Sequence, residues 1–359
     1  MNFIGQIDKI ITGILIILSS LFALLTTKFA FSSFDNEGII ELGNILNFIA
    51  LIYIFASLSI ESGLVRKFVS IESIHFKDLA ISLFILYLLG LFFGTLFAYF
   101  NSLFSNYIFK VIPLLILYFP LIVIRSNFIA QGRQYLAALI TCLLSLSYFL
   151  GTYFTSDLSD LFLNIIFANY LIIFCAISSY LIYLIIKKIL IFERFHFFLP
   201  NKDHFKESLN LVRYGLHSSF SGLQENTAML IRRIFLINYI SLEFSSLMEM
   251  YQRPMIWLLS LATAVISYYF YPFIINSEIS LAGKNTSESN QIIKKNLNLI
   301  FKITFLSLIY FSFCFPIIFW LTFGYINNIN FFYASFWIFI FTLRVTAALF
   351  SSWMLAKNK

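Results

Sequence analysis

Residues 161–186, LFLNIIFANYLIIFCAISSYLIYLII, decide the fold class. This stretch contains no charged residue, and Lys187 and Lys188 follow it directly. An α-helix needs about 20 consecutive apolar residues to cross a bilayer, because the hydrocarbon core is about 30 Å thick. The stretch therefore predicts a membrane-spanning helix, and similar apolar runs recur along the whole chain.

The composition supports the same class of protein. Of 359 residues, 60% are hydrophobic and 11% are charged, whereas soluble proteins are about 45–50% apolar and 25% charged. The net charge of +7 does not indicate nucleic-acid binding, because the basic residues lie in short loops between apolar runs. Cys142, Cys175 and Cys314 lie inside apolar runs without a Cys/His cluster. We therefore expect no zinc site, disulfide framework or cofactor.

The apolar runs predict an all-α, polytopic membrane helix bundle of about ten spans. No signal-peptide pattern precedes the first run, which we take as span one. The predicted spans cover about 10–27, 42–65, 79–99, 107–124, 135–154, 161–186, 212–238, 245–274, 297–322 and 331–356.

Charges alternate between the predicted loops. Lys and Arg follow the even-numbered spans, whereas the opposite loops carry mainly Asp and Glu: Asp35, Glu37, Glu41, Asp157 and Asp160. Lys/Arg-rich short loops face the cytoplasm, so both termini are predicted to be cytoplasmic, in a bacterial inner membrane. The cytoplasmic loop 187–210 mixes phenylalanines with charges, which predicts an amphipathic connector at the interface.

Several polar side chains fall inside predicted spans, where each charge costs about 2.5–3.5 kcal/mol on insertion scales. Glu249 and Arg253 are spaced i,i+4 and can pair on one helical face. Arg344 lies near the middle of span ten. The others are Glu61 in span two, Arg66 at the cytoplasmic end of that span, and four residues of span seven: His217, Glu225, Arg232 and Arg233.

Simpler interpretations remain open for some of these residues. Glu249 and Arg253 can form a purely structural ion pair, Arg66 can serve only to set topology, and His217 can be a hydrogen-bonded helix residue. Arg232 and Arg233 are adjacent, so they point in different directions around the helix.

Together, the cations of spans seven, eight and ten can surround a water-filled cavity. Such a cavity suits an anionic ligand, because the planar donors of arginine match phosphate oxygens. A lipid pyrophosphate is an anion that must cross a bilayer. No HExxH, P-loop or GxSxG motif occurs, so we expect a transporter and not an enzyme.

Six stretches carry a family resemblance. They are GNILNFIALIYIFASLSIESGLVRKFVS (43–70), FIAQGRQYLAALI (128–140), LVRYGLHSS (211–219), AMLIRRIFLI (228–237), ISYYFYPFI (266–274) and LRVTAALFSSWMLAK (343–357). Together they resemble the Wzx-type flippases for O-antigen and related lipid-linked oligosaccharides, in the multidrug/oligosaccharidyl-lipid/polysaccharide exporter superfamily. Each motif is weak alone; their order and spacing carry the resemblance.

The resemblance implies a six-span N-terminal lobe (1–186), the connector (187–210) and a C-terminal lobe of about four spans (211–359) around a central cavity. It implies alternating access and an undecaprenyl-pyrophosphate-linked oligosaccharide as substrate, with polysaccharide polymerases as partners. The family's cavity cations fall on Arg233, with Arg232 beside it, on Arg344 and on Arg66. Candidates for ion coupling or gating are Glu249, Arg253, Glu225, His217 and Glu61.

The chain also departs from the family pattern. Family members usually have twelve or more spans, so we expect a C-terminally truncated copy or a short variant that oligomerises. Phe341 stands where an acidic residue can precede the span-ten cation, which disfavours proton coupling there. A membrane O-antigen polymerase, and an exporter of peptidoglycan precursor or drugs, are the alternative functions. The long loops predicted as cytoplasmic disfavour the polymerase.

Overall fold

A computed structural model describes residues 3–57, 117–118, 120–129, 131–186, 231–232, 239–265, 286–324 and 330–357, and single helical residues at 85, 88, 92, 206, 209 and 235. Within these residues the regular structure is helical, as predicted. We number the long helices α1 (Phe3–Ser57), α2 (Gln134–Tyr153), α3 (Leu161–Ile186), α4 (Leu242–Val265), α5 (Thr286–Phe323) and α6 (Phe331–Lys357). A short helical segment covers Pro120–Ile129, and a single 3-10 turn, Leu158–Asp160, precedes α3.

Helix α1 folds back on itself at Asp35, whose backbone angles are φ 51° and ψ −139°. A Cβ atom on Gly38 would collide with the carbonyl oxygen of Ala30 and with Cβ of Phe34. Residues this far apart in a straight helix are separated by about 12 Å, so the chain turns sharply here. The sequence predicted a connection between spans one and two over about 28–41, but these residues are helical apart from Asp35.

The first segment of α1 runs parallel to α2. The hydroxyl groups of Ser19 and Ser145 lie 2.7 Å apart, and further along the two helices the ring centroids of Phe29 and Tyr153 lie 5.0 Å apart. The contacts follow the same order along both helices. Spans one and five were predicted to cross the membrane in the same direction, and this packing agrees with that prediction.

The N-terminal helices share one apolar cluster, which includes Leu42 of α1, Leu121 of the short segment and Ile165 of α3. Helices α2 and α3 approach closely at Gly151, because a Cβ atom there would collide with the backbone of Ile165. Small residues at such contacts are characteristic of helix packing in membranes.

Interhelical hydrogen bonds hold the short segment against α3. The Tyr118 hydroxyl donates to Asn169 Oδ1 at 3.3 Å, and Asn127 Nδ2 donates to the Tyr180 hydroxyl at 2.8 Å. Pairing proceeds in the same order along both helices, so the segment and α3 are parallel. These two hydrogen bonds pair polar side chains across the interface between helices, as is common where helices pack in lipid.

Helices α4, α5 and α6 form a second apolar cluster, with Tyr251, Phe315 and Phe341 among its most buried members. Ile39 of α1 is fully buried in this cluster. Since Leu42 belongs to the first cluster, the second segment of α1 lies between the two clusters and contributes side chains to both.

The turn in α1, the start of α6 and the ends of α2 and α5 lie together at one end of the molecule. Phe31, near the α1 turn, contacts Phe323 at the end of α5, with ring centroids 5.1 Å apart. Asn330, just before α6, donates its backbone N–H to the Tyr251 hydroxyl at 2.6 Å. This end, which we name the turn end, carries Asp35 and the acidic residues that predicted a periplasmic face.

In the part of the chain that the structure describes, four stretches of helix are long and apolar enough to cross a membrane: Ile7–Ala50, Gln134–Tyr153, Leu158–Tyr180 and Ile293–Phe323. Large apolar side chains such as Phe167, Leu171 and Phe174 of α3 are more than half exposed, as lipid-facing residues are. The chain is therefore a multi-pass membrane protein. Predicted spans 79–99 and 212–238 lie almost wholly outside the described residues, so the count of ten and the six-plus-four division stay predictions.

Candidate functional site

Helix α4 carries a polar face into the second apolar cluster. The helix begins after Ser241, whose hydroxyl accepts the N–H of Phe244 at 3.1 Å and so satisfies one free donor of the first turn. Ser245, Glu249 and Gln252 are spaced i,i+4,i+7, which places them on one face, and each is 1% exposed or less. A buried carboxylate at this depth requires cationic partners.

Among the described residues, two arginines contact Glu249. Arg232 Nη2 donates to Glu249 Oε1 at 3.3 Å, and Arg253 Nε donates to Glu249 Oε2 at 3.2 Å. Each carboxylate oxygen thus accepts from a different arginine. The Arg253 contact is the i,i+4 pair that the sequence predicted, and that pairing is confirmed. We call Arg232, Glu249 and Arg253 the ion cluster.

Arg232 joins α4 to α6. Its Nη2 also donates to Gln252 Oε1, and its guanidinium lies over the ring of Trp337, 5.2 Å from the ring centroid. The Arg232 side chain is 30% exposed, whereas Glu249 is 1% exposed. Of this pair, the cation is therefore the group that a ligand can reach.

One face of α6 links Arg232 to the predicted span-ten cation. Trp337, Phe341 and Arg344 are spaced i,i+4,i+7 on that helix. The rings of Trp337 and Phe341 are 5.8 Å apart, and the Arg344 guanidinium lies 4.9 Å from the Phe341 ring centroid. Arg344 is half-buried and lies about 10 Å beyond Trp337 along the helix axis. Arg232 and Arg344 thus lie one after the other along the same aromatic face of α6.

The ion cluster carries one net positive charge, because its two arginines share one carboxylate. Arg344 adds a second cation on the same face of α6. An arrangement of this kind attracts oxyanions and repels cations. Among the residues that the structure describes, no group of three His, Cys, Asp or Glu side chains could hold a metal ion.

The predicted site residues divide into two groups. The structure brings together Arg232, Glu249 and Arg253, and it places Arg344 on the adjacent aromatic face. The other predicted residues, Arg233, Arg66, Glu225, His217 and Glu61, lie outside the described residues. Their roles therefore stay predictions.

Three further residues of the site were not singled out from the sequence. Gln252 could have been found, because it lies three residues after Glu249 and is polar within a predicted span. Ser245 shares the same spacing, but serine is common in membrane helices and gives a weak signal. Trp337 gave no signal, because its contact with Arg232 joins two helices far apart in the chain.

Comparisons of this chain with known protein families, with curated proteins and with solved structures found no significant match.

Proposed function

We propose that this protein is a flippase, which carries undecaprenyl-pyrophosphate-linked oligosaccharide across the bacterial inner membrane by alternating access. The observation that carries the proposal is the grouping of three cations with one carboxylate among the described residues, with Arg232 and Arg253 sharing Glu249 and with Arg344 on the adjacent face of α6. A pyrophosphate brings the oxygen acceptors that these guanidinium groups require.

The same charges distinguish the proposed flippase from an exporter of cationic drugs. A cationic drug would meet net positive charge in a low-dielectric region, where like charges repel strongly. A peptidoglycan lipid precursor also carries a pyrophosphate, so its headgroup fits these cations equally well. The O-antigen type of cargo is favoured by the sequence resemblance alone.

In the proposed mechanism, Arg344 and Arg233 hold the pyrophosphate, and Arg66 assists entry from the cytoplasm. The glycan passes through the wet interior while the prenyl chain stays in lipid. Cargo can drive the switch between inward-open and outward-open states only through a difference in its affinity for them.

The test is restoration of surface polysaccharide in a bacterium that lacks its own O-antigen flippase. We expect the native chain to restore it, and Arg344→Ala or Arg233→Ala to lower the transport rate about 10- to 100-fold, because each loses a charge-assisted hydrogen bond. Lys302→Ala is the matched control, since Lys302 is exposed on α5. Full transport by both arginine variants at matched membrane levels would contradict the proposal.

A further inference from the structure

We infer that the ion cluster is an oxyanion site separate from Arg344, and that Glu249 acts there as a resident competitor for the bound anion. The site comprises Arg232, Arg253, Trp337 and Ser245. This inference rests on the proposed function only for the identity of the cargo.

The first support is an excess of hydrogen-bond donors. Arginine and tryptophan side chains can only donate, and the site contains two arginines and one tryptophan. Both oxygens of Glu249 and the amide oxygen of Gln252 on the α4 face already accept a hydrogen bond from Arg232 or Arg253. A ligand that supplies acceptors, as phosphoryl oxygens do, therefore matches the donor-rich chemistry of this site.

The second support is the presence of buried donors that lack partners. Trp337 Nε1 and Ser245 Oγ have no hydrogen-bond partner among the described residues, although Trp337 is 5% exposed and Ser245 is 1% exposed. Leaving such groups unsatisfied costs about 1–3 kcal/mol each. Trp337 packs beneath Arg232, and Ser245 lies one helical turn from Glu249, so both flank the ion cluster.

The third support is the contrast in exposure within the cluster. Arg232 is partly exposed, whereas Glu249 and Arg253 are 1% and 6% exposed. An incoming oxyanion can reach Arg232 from the open side and share it with Glu249. Because the carboxylate repels the anion, it lowers affinity and speeds release, which a transporter requires of a site along its path.

The test uses the full chain in lipid nanodiscs, titrated calorimetrically with inorganic pyrophosphate. We expect Trp337→Phe, which keeps the ring and removes the N–H, to weaken binding about three- to tenfold, and Ser245→Ala to do the same. The matched controls are Trp320→Phe, at a half-exposed position on α5, and Ser246→Ala, whose hydroxyl donates to the Glu243 carbonyl. Both controls should bind as the native chain does.

Glu249→Gln is the diagnostic variant. We expect it to bind pyrophosphate roughly tenfold more tightly, because it removes the competing negative charge. A purely structural carboxylate would give weaker binding or none. If Glu249→Gln does not fold, the Trp337 and Ser245 variants decide the question alone. Native affinity in both of those variants, or no pyrophosphate binding by the native chain, would overturn the inference.

A parallel titration with farnesyl diphosphate tells a lipid headgroup from a free ion. Tighter binding of the prenylated probe indicates a lipid headgroup, and equal affinity indicates a free phosphoryl anion; both support an oxyanion site. The proposed function is tested separately, by the restoration of surface polysaccharide in cells. Restoration by the native chain together with native affinity in Trp337→Phe and Ser245→Ala rejects this site and keeps the flippase, whereas weakened binding in those variants without restoration by the native chain keeps the site and rejects the flippase.

Discussion

At the residue scale, the ion cluster separates what a sequence can predict from what it cannot. The Glu249–Arg253 pair was predictable, because residues four apart on a helix are neighbours. The contact of Arg232 with Glu249 and Trp337 was not, because it depends on how three separate helices pack. Sequence spacing could say only that Arg232 and Arg233 point in different directions. The family resemblance assigned the cavity cation to Arg233.

Because Arg232 and Arg253 share the Glu249 carboxylate, we expect mutations of Glu249 and Arg253 to lower stability by unequal amounts. Glu249→Ala leaves buried Arg253 and partly exposed Arg232 without the carboxylate that they share, and should lower stability by about 3–5 kcal/mol. Arg253→Met should cost much less, because Arg232 still balances Glu249. Thermal unfolding of the purified protein in detergent measures both variants.

The double variant Glu249→Ala/Arg253→Met is the control for that experiment. It removes one buried cation together with the carboxylate, so it should recover part of the stability that Glu249→Ala loses. Equal losses in the two single variants would show that charge balance does not govern this cluster.

At the element scale, helix boundaries were predicted best where turn residues or charges end an apolar run. The predicted spans 135–154, 161–186 and 331–356 agree with α2, α3 and α6 to within one residue at each end. The turn in α1 was missed, because residues 28–41 carry charges typical of a loop yet stay helical on both sides of Asp35. Only the close approach of Gly38 to Ala30 reveals the turn, and that is a tertiary contact.

That turn predicts a strict requirement for glycine at position 38. Gly38→Ala should destabilise the protein by at least about 1–3 kcal/mol, because its Cβ would collide with the backbone of Ala30, which cannot move independently. The melting temperature in detergent is the measurement.

Gly13→Ala in the same helix is the matched control. No atom lies within 4 Å of a Cβ at Gly13, and alanine favours helix over glycine by about 1 kcal/mol. This control should melt at or above the native temperature. A Gly38→Ala protein as stable as the native chain would contradict the close turn.

At the scale of the whole molecule, the direction of each helix was predicted from loop charge, and the relative packing of the helices was not. The parallel neighbours α1 and α2 illustrate the difference. Loop charges indicated that both cross in the same direction, but only the Ser19–Ser145 and Phe29–Tyr153 contacts identify them as neighbours. Packing between apolar helices in lipid depends on shape, which composition does not record.

The grouping of turns predicts the sidedness of labelling. With Cys142, Cys175 and Cys314 replaced by Ser, a cysteine introduced as Ser156→Cys at the turn end should react with an impermeant maleimide in intact cells whose outer membrane admits it. Arg133→Cys should react only after the inner membrane is opened. Both positions are exposed, so access to the compartment decides the result. The reverse pattern would invert the predicted orientation.

Helix α5 acts mechanically as a lever. Its 38 residues extend about 57 Å, nearly twice the thickness of a bilayer core. Pro316 interrupts its backbone ladder near the turn end, and proline is a common site of bending. A tilt of about 10° there would move the far end of the helix by about 8 Å, given a lever arm of about 45 Å. Small rearrangements beside Tyr251 and Phe315 would thereby be amplified into displacements at the opposite surface that approach the spacing between packed helices, about 8–10 Å.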